Sequence, residues 1–401
     1  MIFDILFLPF VFFIGLVTSY QDNKYGKVKN KWIFSGFLWG VGIILLLFIW
    51  YLVAGPITHL FFPDTPVLTV NPSYLFKVIL NAAISLIIVF LMWRGGAWAA
   101  GDAKLFFIYS LLVPLKYYWK SYFPYFPSFV LMINIFIPIF IYLFLRAFLY
   151  FSKFTYLKIS QKKNIKKKEM SQKEKEKKKL EKRKAVKMRI KNMGVMFLTF
   201  ITLFLIFSLF QDQIKKYLFF DASSFQMFIF AGIIIFRKVF SNLFEKPIII
   251  KIIIPLLIAI LTYGFIFSPV ETWQSLKQTV QTMIIFMTIF TLSISLINFH
   301  VSKTGTRKIK SENLKSRTNL NEDIMNDIKR DKKFFKEQIK YIYPEGLNQK
   351  QAQAVRKWLK ENKKDEILIY KPFPFVLWMF IGVIITLILK SSLVHLFINT
   401  V

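Results

Sequence analysis

The sequence predicts an all-α fold, a polytopic transmembrane helical bundle of about ten spans with basic and mixed-charge helical insertions on its cytoplasmic side. Three observations predict it. Of the 401 residues, 55% are hydrophobic and the mean hydropathy is +0.48, which is too apolar for a water-facing globule. Several runs approach the roughly 20 apolar residues that a helix needs to cross a bilayer. Finally, 55 Lys and Arg stand against 22 Asp and Glu, a net charge of +33 concentrated in a few loops.

The apolar runs define the predicted spans. They cover residues 2–21, 33–54, 74–93, 103–119, 128–150, 194–211, 224–240, 247–268, 280–299 and 373–398. If Asp22 is cytoplasmic, the segments that hold nearly all the Lys and Arg become cytoplasmic too, as the positive-inside tendency requires. Both termini are then outside. The 224–240 run is short enough to be a half-span or re-entrant piece. The first run lacks a basic start, so we expect a retained span and not a removed signal peptide.

Charge and hydropathy divide the chain into five segments. These are a core of five spans (1–151), a Lys-rich cytoplasmic arm (152–193), an inserted four-span membrane segment (194–299), a cytoplasmic cap or linker (300–371) and a closing transmembrane helix (372–401). The arm has eighteen Lys and Arg against four Glu, which is typical of a low-complexity basic segment. In the cap, Ala352, Val355 and Leu359 recur at helical spacing, which predicts an amphipathic helix over Asn348 to Lys360.

The composition also excludes several kinds of site. The chain has no cysteine, so disulfides, thiol nucleophiles and thiolate metal sites are excluded. Its three histidines, His59, His300 and His395, are far apart in the sequence, which argues against a histidine-based metal cluster. We therefore expect neither a metal nor a cofactor.

Two aspartates lie at predicted span ends on the cytoplasmic side. Asp22 ends the first span and Asp102 begins the fourth, so helix packing could bring their carboxyls together. Ionisable groups near hydrocarbon are costly and need a reason. Two carboxyls in one low-dielectric site hold a single proton between them at neutral pH, as aspartic proteolysis requires. The structural alternatives are an N-cap for Asp102 and a solvated boundary residue for Asp22.

Three motifs resemble those of one peptidase family. Residues 22–30, DNKYGKVKN, are similar to the Asp-x-(basic, aromatic)-x-x-Ile/Val-Pro-Asn stretch that closes the first span of type IV prepilin peptidases and prearchaellin peptidases. Residues 99–105, AAGDAKL, resemble their Gly-x-Gly-Asp-x-Lys-Leu motif. Residues 371–382, KPFPFVLWMFIG, resemble their closing helix, and PEGLNQ at 344–349 is similar to the lead-in of archaeal members. The resemblance covers about 1–151 and 341–398.

The resemblance implies a membrane aspartic endopeptidase. Asp22 and Asp102 would activate water, and Gly101 would leave room for a substrate strand. Lys104 would tune the pair or meet a phosphate, or it is a snorkelling boundary lysine. Substrates would be prepilin-like or prearchaellin-like precursors with a short, usually basic leader. The sequence departs from the motifs at Ala99, where the family has Gly, and at Lys29, where it has Pro. The cytoplasmic tetracysteine segment of N-methylating members is absent, so only cleavage is expected.

Other functions stay open at this point. An ion- or proton-coupled transporter would use the aspartates as ion sites, although both lie at span ends and no inverted repeat is evident. A noncatalytic scaffold of a pilus-like machine would accommodate the unassigned segment 194–299. Presenilin-like proteases share the Gly-x-Gly-Asp motif, but their first aspartate lies within a span after Tyr. Asp22 ends a span and is followed by lysines, which favours the prepilin peptidases.

The positive charge predicts one further partner. Polybasic cytoplasmic loops attract anionic lipid headgroups, so we expect the Lys-rich arm to contact the membrane surface. Nucleic acid could also bind such a charge, but it is not the expected partner. The predicted location is the cytoplasmic membrane, with multiple spans.

Overall fold

The structure is a computed structural model that describes residues 2–61, 71–94, 98–118, 123–160, 194–210, 247–316, 318–341, 346–371 and 373–398. These residues are predominantly helical, which confirms the all-α prediction at that level. The helices are α1 (Ile2–Tyr25), α2 (Asn30–Phe61), α3 (Pro72–Arg94), α4 (Ala100–Leu112), α5 (Phe129–Ser160), α6 (Gly194–Leu209), α7 (Pro247–Phe267), α8 (Pro269–Thr304), α9 (Glu322–Arg330), α10 (Gln349–Glu361), α11 (Phe375–Leu389) and α12 (Leu393–Ile398). Two strands, β1 (Thr306–Lys310) and β2 (Glu366–Tyr370), were not predicted.

Five helical stretches within the described residues are long and apolar enough to cross a membrane, which indicates membrane association. They are Ile2–Tyr25, Asn30–Val53, Pro72–Arg94, Phe129–Tyr156 and Ile248–Phe267. The apolar stretches Gly194–Leu209, Thr291–Val301 and Phe375–Leu389 are shorter. The predicted 224–240 span and residues 161–193 of the Lys-rich arm lie outside the described residues.

Helix α4 is shorter than the predicted span of 103–119. It ends at Leu112, and Val113 has an extended backbone with φ −76° and ψ 116°. Pro114 explains this end, because a proline ring disfavours helical geometry in the residue before it. At about 1.5 Å per residue, α4 is about 20 Å long, less than the ~30 Å of hydrocarbon. Most of its side chains are buried, so α4 lies largely inside the protein.

The predicted closing span of 373–398 is interrupted. Lys390 ends α11 in a left-handed conformation, with φ 54° and ψ 20°. The buried Asn134 side chain on α5 bonds to the backbone on both sides of α12's start. It donates to the Ser391 carbonyl at 2.9 Å and accepts the Leu393 N–H at 2.8 Å. Two backbone groups at this break are therefore satisfied by a buried side chain inside the protein.

A second buried asparagine links three segments of the bundle. Asn81 on α3 donates to the Ser110 carbonyl of α4 at 3.0 Å and to the Ser128 hydroxyl at 2.8 Å. Its side-chain oxygen accepts the Ser128 N–H at 3.0 Å, just before α5. All three residues are buried. The amide thus fixes the relative register of α3, α4 and the start of α5.

The chain divides into two units, Met1–Tyr142 with Ser302–Val401, and Leu143–Val301. In the first unit, α1 packs against α2, α4 and α11, and α3 packs against α4. This arrangement surrounds α4 with other helices and brings the last long helix, α11, against the first. The first unit therefore contains both predicted catalytic aspartates.

The second unit has its own apolar core. Its buried side chains come from α6, α7 and α8, namely Val195, Phe200, Ile201, Phe204, Leu205, Ile260 and Met283. One polar contact joins α6 to α8, where the Ser208 hydroxyl donates to that of Ser275 at 2.7 Å. The rings of Tyr150 on α5 and His300 on α8 meet edge to face, with centroids 5.4 Å apart.

A small cap, residues 306–370, lies between α8 and α11 in the chain. Strand β1 pairs antiparallel with β2 in a two-stranded sheet, in the register that sets Ile309 opposite Ile367. Helices α9 and α10 cover the sheet around a core of Leu314, Leu320, Ile328, Ile339, Leu347, Ala352, Val355, Trp358, Leu359, Ile367 and Ile369. The predicted amphipathic helix is confirmed as α10, and its three predicted apolar positions are buried. The insertion that we predicted as helical also contains this two-stranded sheet, in which alternate residues of β2 are buried.

Polar contacts hold the helices of the cap in place. Asn348 and Gln351 form a capping box at the start of α10. Asp331 accepts the Phe334 N–H at 3.1 Å and the Trp358 indole N–H at 3.0 Å, and these two donors hold the pKa of its carboxyl below the usual range. The carboxylate thereby links the residues after α9 to α10.

Helix α11 approaches α1 and α5 closely at two glycines. A Cβ added to Gly382 would lie 2.4 Å from Ile135 Cγ1 on α5 and 2.9 Å from the Ile135 backbone nitrogen. A Cβ added to Gly15 on α1 would lie 2.1 Å from the Phe380 ring of α11. Small residues allow such contacts between helices in membranes.

We predict that Gly382→Ala destabilises the protein, by about 1–3 kcal/mol as for other overpacked cores. The reason is that the added methyl would meet backbone atoms of Ile135, which cannot rotate away as a side chain can. Gly42→Ala is the matched control, since a Cβ there meets nothing within 4 Å. Thermal unfolding in detergent micelles measures the effect. Equal unfolding temperatures for the two variants would show that α11 does not pack on α5 in this way.

Candidate active site

Asp22 lies in the last turn of α1. The helix ends because Gly26 adopts a left-handed φ of 63° and its N–H donates to the Asp22 carbonyl at 2.8 Å. Glycine accepts this conformation without steric cost, which is why it commonly follows helix ends. The Asp22 side chain is therefore held at a helix terminus, as predicted from its position at the end of an apolar run.

The Asp22 carboxylate bonds to the first turn of α11. Its Oδ2 accepts the backbone N–H of Val376 at 3.2 Å, across 354 positions of sequence. The N-cap residue of α11 is Pro374, which makes no side-chain cap. The first N–H groups of a helix lack intrahelical partners and favour negative charge, so a carboxylate from another helix can satisfy one of them. Asp22 has this structural role in addition to any chemical one.

Gln21 stabilises the loop that follows Asp22. Its side-chain oxygen accepts the backbone N–H of Lys29 at 3.2 Å, and Gln21 itself is buried. Lys29 stands where the resembled family has proline, which has no N–H to donate. The hydrogen bond from the Lys29 N–H to Gln21 therefore holds this loop at the position where proline would restrict it.

Asp102 lies in the first turn of α4 and is partly buried. The N-cap residue of α4 is Ala99, and its carbonyl accepts the Ala103 N–H at 3.0 Å. Ala99 itself provides no side-chain cap for this helix start. The alternative interpretation of Asp102 as the N-cap is therefore wrong, because it is the third residue inside the helix. A carboxylate there is favoured by the helix dipole.

An aromatic cluster connects the segment before Asp102 to the start of α11. Trp98 is buried, and its ring centroid lies 5.7 Å from that of Phe375. Phe106 of α4 and Phe136 of α5 also pack on Trp98, at 5.4 Å and 5.6 Å between centroids. Phe375 directly precedes the residue whose N–H binds Asp22. The two aspartate-bearing segments thus meet at the same end of α11, and α1 and α4 run antiparallel.

The two aspartates lie at similar heights along the bundle. Ile14 of α1 and Ile108 of α4 mark one level, since a Cβ added to Gly36 would lie 2.6 Å and 2.7 Å from their side chains. At about 1.5 Å per helical residue, Asp22 is about 12 Å from that level and Asp102 about 9 Å, both toward the start of α11. Helix packing therefore brings the predicted pair toward one end of the first unit, at similar heights along the helix axes.

The two support residues differ in their surroundings. A Cβ added to Gly101 would meet nothing within 4 Å, so the space beside Asp102 is open. This openness agrees with the expectation that Gly101 leaves room for a substrate. The Lys104 side chain is exposed, and its role in tuning the pair stays a prediction.

Sequence reasoning missed two polar groups beside the aspartates. The Ser19 hydroxyl and the Trp98 indole N–H are buried, and neither has a hydrogen-bond partner among the residues that the structure describes. Ser19 lies three residues before Asp22 and so on the same side of α1. Buried polar groups normally find protein or water partners, so an ordered water is the expected partner of each. In the sequence, Trp98 is the one large residue among the Gly and Ala residues of 95–101, and this contrast could have indicated it.

The residues that the structure describes hold no group of three His, Asp or Glu side chains placed to bind a metal ion. Comparisons with known proteins give no relative: no family model, no curated protein and no solved structure matches the chain.

We predict that Asp22→Ala lowers the free energy of unfolding by about 0.5–2 kcal/mol, the usual cost of losing a helix cap. The N–H of Val376 would lose its acceptor. Asp22→Asn keeps a side-chain oxygen and should lose less. Thermal unfolding checks both, with exposed Glu361→Ala as a control. If Asp22→Ala unfolds at the wild-type temperature, the carboxylate does not cap α11.

Proposed function

We propose that this chain is an aspartic endopeptidase of the cytoplasmic membrane that removes the short leader from type IV prepilin-like or prearchaellin-like precursors. One observation supports the proposal: the segments that bear Asp22 and Asp102 converge on the start of α11. There the Val376 N–H donates to the Asp22 carboxylate, and the Phe375 ring packs on Trp98, four residues before Asp102. The three motifs that resemble the peptidase family are the same three segments that converge there.

The proposed chemistry is hydrolysis by a carboxyl pair that shares one proton. The ionised carboxylate removes a proton from water as the water oxygen attacks the scissile carbonyl carbon. The protonated carboxyl donates to the carbonyl oxygen, which becomes a hydroxyl. The C–N bond then breaks as the leaving nitrogen takes a proton from the pair and one hydroxyl of the intermediate returns its proton to the pair. The products are a carboxylic acid and an amine, and the pair again shares one proton. No metal or cofactor takes part in this scheme.

The open space at Gly101 supports peptide access to this pair. A substrate cut between a leader and an apolar helix must present extended backbone near the carboxyls. Gly101 lets that backbone approach Asp102.

The proposal includes the ten-span topology and its orientation. The segment 194–299 adds an even number of spans, so the aspartates and the cap stay on one side of the membrane. Positive charge places that side in the cytoplasm. The Lys-rich arm, 152–193, would contact anionic lipid headgroups there, and nucleic acid is not a proposed partner.

A noncatalytic scaffold of a pilus-like machine is the second candidate. The hydrogen bond from the Val376 N–H to Asp22 favours the scaffold, because stabilising the start of α11 alone explains a carboxylate at that position. The two candidates differ in what an isosteric amide does, since asparagine can still accept a hydrogen bond from Val376 but cannot activate water.

We predict that wild-type protein shortens a precursor and that Asp22→Asn and Asp102→Asn each leave it whole, a loss of at least 100-fold, in the range of general acid–base catalysis. The assay co-expresses the protein with candidate prepilins of its own genome and follows precursor size on a gel. Asp323→Asn, an exposed carboxylate of the cap, is the matched control and should cleave normally.

Cleavage by either amide variant at the wild-type rate would exclude that residue from catalysis. No cleavage by folded wild-type protein on any precursor would favour the scaffold instead.

We also predict that Gly101→Val reduces cleavage at least tenfold while the unfolding temperature stays unchanged. The side chain enters space that is open in the structure, so it should obstruct a substrate and not the fold. Gly42→Val is the matched control, since that glycine also faces open space but lies on α2. Normal cleavage by Gly101→Val would mean that the substrate does not approach past this residue.

A further inference from the structure

One turn of the cap has an unusual backbone. Residues Phe335–Ile339 form a single π-helical turn, and Lys340 follows with φ 54° and ψ −61°. The Tyr341 N–H donates to the Ile339 carbonyl at 2.6 Å, which closes a three-residue γ-turn around Lys340. Positive φ in such a turn is rare and strained for a residue with a side chain. The turn persists because other contacts hold it.

Gln351 of α10 provides those contacts. Its side-chain nitrogen donates to the Ile339 carbonyl at 2.8 Å and to the Tyr341 carbonyl at 2.7 Å. Its side-chain oxygen accepts the Asn348 N–H at 2.9 Å. The amide is buried and bonds on both sides of Lys340. The turn is therefore fixed within one side-chain length of the start of α10.

The turn lies at the end of the cap next to the apolar helices. The Leu347 N–H, just before α10, donates to the Thr318 carbonyl at 3.2 Å. The adjacent Asn319 carbonyl accepts the N–H of Tyr370, the last residue of β2, at 2.9 Å. Only residues 371–374 separate Tyr370 from α11. The start of α10 and the turn that it holds are thus close to the point where the chain enters α11.

The side chains at this end combine positive charge with an exposed aromatic ring. Lys336, Lys340 and Lys350 are exposed, and Tyr341 is 52% exposed. Glu337 is the exposed acid of the same turn. Lysines and tyrosines are the residues that favour the membrane–water interface, because their apolar parts enter the acyl boundary while their polar ends stay among headgroups. Lysine near an anionic leaflet is also attracted electrostatically within about a Debye length, ~8 Å at physiological salt.

We propose that this turn surface, formed by Lys336, Lys340, Tyr341 and Lys350, docks on anionic lipid headgroups of the leaflet that the cap faces. The contact fixes the cap against the membrane at the end where β2 leads into α11. It is independent of the proposed peptidase activity, since it needs only the cap, its charge and its distance from the bilayer.

The absence of cysteine from the sequence permits a direct test with the full chain. Exposed Gln338→Cys is labelled with a fluorophore, and the protein is placed in nanodiscs that contain a fixed fraction of headgroup nitroxide-labelled phosphatidylcholine. The discs are otherwise phosphatidylcholine alone or phosphatidylcholine with 30% phosphatidylglycerol. The expected result is at least twofold stronger quenching in the anionic discs.

Two double variants of equal charge change locate the contact. Lys340→Gln with Lys350→Gln should remove the difference between the two kinds of disc. Arg356→Gln with Lys360→Gln, exposed on the later turns of α10, should retain it. Tyr341→Ser should weaken quenching in both discs. Unchanged unfolding temperatures exclude misfolding as the cause.

Equal quenching in neutral and anionic discs would overturn the proposal. So would an equal loss in both double variants, because general net charge would then explain the attraction. Quenching that appears only after a soluble protein is added would assign the surface to a protein partner and overturn the lipid assignment.

Discussion

The hydrogen bond from the Val376 N–H to the Asp22 carboxylate is the contact on which the candidate site depends. It links the end of the first helix to the start of the last long helix, and Pro374 leaves that start without a side-chain cap of its own. A helix terminus near hydrocarbon must find partners for its N–H groups inside the protein. At the same end of α11, Phe375 packs on Trp98, which lies in the segment before Asp102.

Elsewhere in the first unit, buried side chains also satisfy backbone groups of other segments. Asn81 satisfies groups of α4 and of the residues before α5, and Asn134 satisfies the break between α11 and α12. Both amides are buried and bond to backbone groups of other segments. Close contacts at Gly15 and Gly382 then set how near α11 comes to its neighbours. Polar bonds fix the register of the helices, and small residues fix their separation.

The sequence predicted the helical class, the position of α1 to α3, and α10 with its buried face, because those features depend on local hydropathy and periodicity. It did not predict that Asp22 caps α11, since that partner is 354 positions away. The end of α4 was placed too late, although Pro114 was a visible indication. Strands β1 and β2 were missed because five residues give little periodicity, and only the alternation of Ile367 and Ile369 indicated a sheet.

Cross-linking in the cysteine-free chain can show whether Asp22 and Asp102 share one site. Contacting helices have axes about 8–10 Å apart, so cysteines at two residues of similar height should be bridged by a reagent of about 10 Å. A shared site predicts an intramolecular cross-link for Asp22→Cys with Asp102→Cys. It predicts none for Asp4→Cys with Asp102→Cys, since Asp4 lies at the opposite end of α1. A folded protein that forms no cross-link between positions 22 and 102 would contradict a shared site.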